Sequence, residues 1–199
     1  MDSYKTIEKS SEGLYKEKGS KFIAYAYPVE SVDEIGEIVA RLKKEYYDAR
    51  HHCYAWRLGY DGKQTRANDD GEPSSTAGKP ILGQLLSADI TNVLVVVIRY
   101  FGGTKLGVSG LIRAYKEATI DALDNTAIVE REILSFVDVT FGYEQMNSVM
   151  KVIKDCEPKI VEQNFDNLSH IKLSICNARR EILLKKMGDI LGVIVEQEN

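Results

Sequence analysis

An α+β fold in two domains is predicted by a change of pattern along the 199 residues. The first two thirds contain an unbroken apolar strand, a glycine-rich turn and a long amphipathic helix. The last third places short apolar segments in the order β-α-β-β-α-β, which is the ferredoxin-like pattern. With 44% hydrophobic residues the chain can form packed cores, and its length suits one large or two small domains. We expect domains at residues 1–132 and 133–199.

The first domain is expected to begin with a hairpin over residues 13–27, stopped by Pro28. Ser31 and Glu34 form a capping box ahead of apolar residues at helical spacing, which predicts a helix from about residue 32. An aromatic-rich strand is predicted over residues 52–58. Residues 59–80 contain almost no apolar side chain, so we expect one long loop there.

The next elements are predicted from apolar patterns. A short helix should start at Pro80. A strand follows over residues 92–101, and its Val/Ile run has no alternation, so it should be buried on both faces. An apolar stripe then predicts a helix over residues 109–125.

The second domain is predicted from shorter patterns. Residues 137–143 alternate as a half-buried strand, and a helical stripe follows up to Pro158. Two strands, 160–165 and 171–175, are joined by a hairpin-type turn. A helix over residues 182–190 and a strand over 193–195 complete the order.

Charge and cysteine content limit the classes of function. Lys and Arg number 26 against 30 Asp and Glu, a net charge of −4, so any nucleic-acid binding must depend on a local basic patch. The three cysteines are widely spaced, which favours a reducing compartment over a disulfide framework or zinc ribbon. Without an apolar leader or membrane-length run, we expect a cytoplasmic protein with no membrane partner.

The most informative segment runs from Arg99 to Gly107, where a buried strand ends in a glycine-rich turn that opens a helix. Helix N-termini favour anions, and no Asp or Glu occurs between Gly102 and Lys116. The alternative is a tight turn with solvated basic residues. The Walker spacing is absent, so a bound mononucleotide is not indicated. The predicted nucleic-acid or anion-binding residues are Arg99, Lys105, Arg113, Lys116, Lys79, Gly102, Gly103, His51 and His52.

Basic and aromatic residues interleave around this segment. Residues 50–116 carry nine Lys and Arg against five Asp and Glu. Basic groups with stacking aromatics are typical of proteins that hold single-stranded or looped RNA. We expect Trp56 and Phe101 to belong to the core and regard Tyr60 and Tyr100 as the better stacking candidates.

A polar loop over residues 68–80 combines carboxylates with hydroxyls. A catalytic interpretation would use a carboxylate as metal ligand or general base and a hydroxyl as nucleophile. The structural interpretation, in which these groups satisfy turn backbone and start the next helix, is favoured, and no catalytic residue is assigned. The loop candidates are Asp70, Glu72, Ser74, Ser75 and Thr76.

His51, His52 and Cys53 do not form a convincing metal site, because adjacent strand residues point to opposite faces. A histidine that faces a phosphate or a loop carboxylate is the easier interpretation. We expect no metal and no cofactor.

The segments 69–82, 95–107 and 110–115, together with the strand that starts at His51, resemble the IMPACT family in its bacterial YigZ and YvyE group. The resemblance covers about the first 130 residues. It implies a first domain like ribosomal protein S5 domain 2 and domain IV of elongation factor G. It also implies a second, ferredoxin-like domain similar to that factor's domain V. Eukaryotic relatives regulate translation initiation through partner proteins with an additional RWD domain, and that partner biology is not carried over.

Three functional hypotheses follow. The favoured one is a translation-associated protein that binds RNA or the ribosome through a basic face at the glycine-rich turn. The alternative is an enzyme that acts on a phosphorylated or nucleotide-like small molecule under the loop Asp70–Thr76. A protein-interaction adaptor, with a protein partner docked on the loop and exposed tyrosines, is the third.

Overall fold

The computed structural model describes residues 2–197, and the chain divides into two compact units. One unit is Tyr4–Arg131, and the other contains residues 2–3 and 132–197. Each has its own hydrophobic core. The predicted mixed α+β organisation is confirmed.

The first unit is built around an antiparallel five-stranded sheet with helices on both faces. In chain order its elements are β1 (Ser3–Ile7), β2 (Ser11–Glu17), β3 (Ser20–Pro28), α1 (Val32–Glu45), β4 (His51–Leu58), β5 (Gln64–Asn68), α2 (Gly78–Ser87), β6 (Val93–Tyr100), α3 (Gly107–Asp124) and β7 (Ile128–Glu132). The sheet has the order β2-β3-β6-β4-β5, and β1 pairs with β7 in a separate sheet.

The central strand β6 explains why helices cover both faces. Val93–Ile98 are fully buried, with alternate side chains in two different cores. One core lies under α2 and α3 and the other under α1. The predicted burial of this strand on both faces is confirmed.

The hairpin and the first helix also agree with the sequence. β2 and β3 pair in antiparallel register from Ser11↔Ala26 to Glu17↔Ser20. At the start of α1 the Ser31 hydroxyl accepts a hydrogen bond from the Glu34 backbone N–H at 3.2 Å. The Glu34 carboxylate in turn accepts from the Glu30 N–H at 2.8 Å.

Two expectations about this unit are wrong. Residues 59–80 are not one loop, because β5 pairs with β4 at the edge of the sheet. The strand is mostly solvent-exposed and carries one apolar residue, Ala67, so it shows no apolar alternation. Phe101 is not a core residue: it follows β6 and remains 44% exposed. Trp56 is buried, as expected.

The second unit has the predicted element order. It contains β8 (Leu134–Phe141), α4 (Met146–Cys156), β9 (Lys159–Phe165), β10 (Ser169–Cys176), α5 (Asn177–Gly188) and β11 (Ile194–Gln197). The antiparallel sheet has the order β11-β8-β10-β9. Helix α5 begins five residues before the predicted start, because its first turn is polar. Within residues 2–197, no helix combines the length and apolar character needed to cross a bilayer.

Candidate functional site

A cleft of about 440 Å³ opens in the first unit beside the glycine-rich turn, and we refer to it as the turn cleft. It brings together four of the predicted site residues from three separate segments. Its lining residues are Arg50, His51, Glu72, Pro73, Arg99, Phe101, Lys105, Leu106, Gly107, Val108 and Leu111.

Arg99 reaches the cleft as a buried group and not as a solvent-exposed cation. It is only 6% exposed, and its guanidinium lies 2.5 Å from the Glu72 carboxylate. The guanidinium carbon also lies 5.4 Å from the ring centre of Phe22 and 5.6 Å from that of Phe101. The charge of Arg99 is therefore largely balanced inside the protein, and its first role is to hold Glu72.

Glu72 is the acceptor at the centre of a buried network. Its Oε1 accepts hydrogen bonds from Arg99 and, at 2.8 Å, from the Tyr115 hydroxyl. The Cys53 thiol lies 3.3 Å from that hydroxyl and 3.0 Å from the Asp69 carbonyl. Burial raises the pKa of both Cys53 and Tyr115, so both side chains stay protonated at neutral pH. Cys53 is therefore not a thiolate nucleophile.

Asp69 organises the loop on one side of the cleft. Its carboxylate accepts backbone N–H groups from Ser75 at 2.8 Å, Ala77 at 3.0 Å and Gly78 at 2.8 Å. Burial alone would raise the pKa of Asp69, but these donors outweigh it and hold the pKa below its usual value. Sequence reasoning did not select Asp69, because its ligands are backbone groups six to nine residues away.

Asp70 is directed away from the turn cleft. One carboxylate oxygen lies 2.9 Å from the Lys43 ammonium, and the other accepts the His52 backbone N–H at 2.7 Å. Although burial opposes it, the Lys43 and His52 contacts keep the pKa of Asp70 below its usual value. Asp70 thus anchors the loop to α1 and β4.

The two adjacent histidines have different environments. His51 Nδ1 lies 2.8 Å from the Asp70 carbonyl, and a carbonyl only accepts, so this nitrogen carries the proton. His51 Nε2 then faces the cleft, 3.9 Å from Glu72 Oε1. His52 is buried and donates from Nε2 to the Tyr46 carbonyl, and burial lowers its pKa.

The remaining loop candidates mostly support the loop itself. The Thr76 hydroxyl donates to the Pro73 carbonyl at 2.6 Å. Ser75 has a left-handed backbone with φ of +65° and donates its N–H to Asp69. Ser74 is exposed and makes no side-chain hydrogen bond within residues 2–197.

The glycine-rich turn forms the other side of the cleft. A Cβ on Gly102 would lie 1.9 Å from the Gly19 carbonyl carbon, so only glycine fits there. Gly103 and Gly107 have φ of +88° and +73°. Helix α3 begins at Gly107 with no side-chain cap and no acidic residue in its first turn, so its first N–H groups remain available to a ligand.

The other predicted basic residues lie outside the cleft lining. Arg113 is exposed and pairs with Glu17, which raises the pKa of the Arg113 guanidinium. Lys79 and Lys116 are exposed and make no hydrogen bond or ion pair within the described part of the chain. The turn cleft thus contains Lys105 and Arg99 from the predicted basic set, together with His51.

Two lining residues were not selected from the sequence. Arg50 is exposed, immediately precedes β4 and donates its backbone N–H to the Arg99 carbonyl. Phe101 follows β6. Because β4 runs antiparallel to β6 with His51 opposite Arg99, the start of one strand meets the end of the other. That pairing is the missing information, since residues 50 and 101 are far apart in sequence.

The cleft offers cations, backbone donors and an exposed ring, but no metal site. No group of three or more His, Cys, Asp or Glu within residues 2–197 could hold a metal ion. Arg50 and Lys105 make no ion pair there either. The geometry is therefore suited to bind an anionic group beside a planar one.

Comparison with known proteins gives the family. Residues 18–123 match the model of the Impact N-terminal domain, a span that includes every lining residue of the turn cleft. The chain is 33% identical over 157 residues to the IMPACT family member YvyE of Bacillus subtilis, covering 79% of this chain and 72% of that protein. It is 31% identical over 174 residues to YigZ of Escherichia coli, covering 86% and 85% respectively.

Solved structures extend the comparison to the whole chain. The crystal structure of a hypothetical protein is 28% identical, covers 100% of this chain and 98% of that one, and has a TM-score of 0.76. Yih1, described as a two-domain translational regulator, is 27% identical over 61% of this chain and 47% of its own, with a TM-score of 0.37. On the family model and the full-length relatives, the chain belongs to the IMPACT family.

Proposed function

We propose that this IMPACT-family chain is a cytoplasmic, translation-associated protein that binds RNA or the ribosome through the turn cleft. The observation that carries the proposal is that Arg50 and Lys105, both without an ion-pair partner in residues 2–197, flank an uncapped helix start and an exposed Phe101. A phosphate is favoured at such a helix start, and a base can stack on an exposed ring. Lys79, Arg113 and Lys116 would extend the basic surface.

The domain assignment belongs to the same proposal. We assign residues 1–132 to an S5 domain 2-like domain and residues 133–199 to a ferredoxin-like domain, the pair implied by the resemblance to elongation factor G. The β-α-β-β-α-β order of the second unit supports its assignment. A protein with this pair of domains would meet ribosomal RNA, a partner whose phosphates suit the cleft.

Binding is favoured over catalysis by the state of the polar loop. Glu72 is engaged by Arg99 and Tyr115, and Asp70 by Lys43 and the His52 N–H. Groups that already hold the fold together are poor general bases, because proton transfer would break those contacts.

A small phosphorylated ligand is the second candidate, and one observation favours it. His51 Nε2 and the Glu72 carboxylate line the same cleft as Lys105. The cleft volume of about 440 Å³ also lies within the range of small-molecule sites. In this case His51 would be the acid or base, with Lys105 on the phosphate.

The test is co-sedimentation with ribosomes and total RNA at about 50 and 200 mM salt. We expect binding that weakens steeply with salt. An Arg50→Ala/Lys105→Ala variant should bind less tightly and show a slope reduced by about 2, because each lost phosphate contact removes about 0.9. Lys151→Ala/Lys185→Ala is the matched control, since it removes the same charge from the second unit.

Each other outcome has a defined meaning. Unchanged affinity in the cleft variant would remove this surface from the proposal, and equal losses in both variants would reduce it to general electrostatics. No RNA binding at either salt, together with a thermal shift by nucleotides or phosphate esters, would favour the small ligand.

A further inference from the structure

A second hollow in the first unit is lined by residues that the turn cleft does not use. It has a volume of about 330 Å³, and we refer to it as the tyrosine groove. Its lining residues are Tyr4, Glu30, Ser31, Val32, Leu58, Gly59, Tyr60, Gln64 and Asn92. Tyr60, a predicted stacking residue, therefore lies in this groove and not at the glycine-rich turn.

Two tyrosine rings form one wall of the groove. The ring centres of Tyr4 and Tyr60 lie 5.2 Å apart, with an angle of 43° between the planes. At that separation no group fits between the rings, so they present one continuous bent aromatic surface. Tyr60 is half exposed, and neither hydroxyl has a hydrogen-bond partner within residues 2–197. The wall is thus available to a ligand on its open side.

The groove also contains an acidic group whose charge is not balanced. The Glu30 carboxylate has no ion-pair or hydrogen-bond partner in the described part of the chain. Asp33 and Glu34 lie in the first turn of α1 beside it, and they offset the positive end of the helix. No Lys or Arg lines the groove, and Arg131 lines only the adjoining hollow.

We propose that the tyrosine groove binds an arginine side chain of a protein partner. A cation over the face of a tyrosine is attracted by the ring, and this attraction grows as water is excluded. A guanidinium is also planar, so it can stack on the aromatic wall while its N–H groups donate to Glu30. An anionic ligand such as RNA is disfavoured here, which makes the groove complementary to the turn cleft.

The experiment titrates N-acetyl-arginine methylamide into the full chain and follows backbone amide chemical shifts. We expect saturable shifts centred on Tyr4, Gly59 and Tyr60. N-acetyl-citrulline methylamide has nearly the same shape without the charge, and it should produce at least fivefold weaker binding. Equal binding of the two compounds, or no saturable shift, would overturn the proposal.

Variants separate the ring from the carboxylate. Tyr60→Leu and Glu30→Gln should each weaken arginine binding about fivefold, whereas Tyr60→Phe, which keeps the ring, should change it less than twofold. Tyr47→Leu is the matched control, because Tyr47 is an exposed tyrosine outside the groove. Unchanged affinity in Glu30→Gln, or an equal loss in Tyr47→Leu, would contradict the assignment, and thermal melts would verify that each variant is folded.

Discussion

The two sides of the turn cleft differ in how far their polar groups are satisfied. On one side, the polar loop from Asp69 to Pro80 has its main carboxylates engaged inside the protein: Asp69 with three backbone N–H groups, and Glu72 with Arg99 and Tyr115. On the other side, the glycine-rich turn ends in a helix without a cap.

This difference separates two kinds of polar residue that look alike in a sequence. The loop is a wall that the protein builds for itself, because its charges and donors are consumed in holding its shape. The turn leaves donors and cations without internal partners, so it is the side where an anion gains contacts. Substitutions in the loop should therefore change stability, and substitutions around the turn should change binding.

The largest effect on stability is expected from Glu72→Ala. It removes the acceptor of Arg99 and Tyr115 in a buried site, and breaking a buried ion pair by deleting one partner costs about 3–5 kcal/mol. Urea unfolding of the variant measures the loss in the free energy of unfolding. A loss under 1 kcal/mol would show that Arg99 finds another partner and that the loop wall is not rigid.

The control for this prediction replaces both partners. In a Glu72→Met/Arg99→Met variant no buried charge is left unpaired, so the loss should be well below the sum of the two single losses. An additive result would mean that Glu72 and Arg99 stabilise the protein independently.

A smaller loss is expected from Asp69→Ala. Three backbone donors, from Ser75, Ala77 and Gly78, lose their acceptor, and water can replace only part of it. At roughly 1–3 kcal/mol for each unsatisfied buried group, partly offset by solvation, we expect a total of about 3 kcal/mol in urea unfolding. Ser74→Ala, an exposed position in the same loop, is the control and should change the free energy by less than about 0.5 kcal/mol. Similar losses in both variants would place the effect in the loop as a whole.

The sequence predicts most of the fold, because the strongest signals are periodic. The Val/Ile run of β6, the capping box of α1 and the alternation of β8 all give elements that the structure contains. It does not predict β5, whose side chains are polar and exposed and which is held by backbone pairing to β4. An edge strand of this kind carries no apolar pattern to detect.

The candidate site is predictable only in part, for a related reason. Arg99 and Lys105 stand out beside glycines, but the partners that decide their states lie far away in sequence. Glu72, 27 residues from Arg99, balances one charge, whereas nothing within residues 2–197 pairs with Lys105. Side-chain pairing between distant segments, not residue type, distinguishes a structural cation from a binding cation.

A pH titration sharpens the comparison without any substitution. The folded pKa of His52 lies below its unfolded value because of burial, so this contribution to stability is complete above about pH 6.5 and is lost as the pH falls. The folded pKa values of Asp69 and Asp70 are also depressed, and their contributions are lost at lower pH, below about 4. We expect the urea midpoint to fall in two stages on acidification. Asp70→Asn should weaken the second stage, and a single stage near pH 4 would show that His52 does not contribute.

The smallest effect on stability is expected from Lys105→Ala, on the open side of the cleft. Lys105 is exposed, makes no ion pair in residues 2–197 and lies just before the N-terminus of α3. A cation there opposes the helix dipole, so its removal should raise the free energy of unfolding slightly, by about 0.3 kcal/mol, and the gain should shrink at high salt. The measurement is urea unfolding at low and high salt, with Lys116→Ala as a matched control farther along the helix. A loss of 1 kcal/mol or more in Lys105→Ala would mean that this lysine supports the turn as Glu72 supports the loop, and the distinction between the two sides would fail.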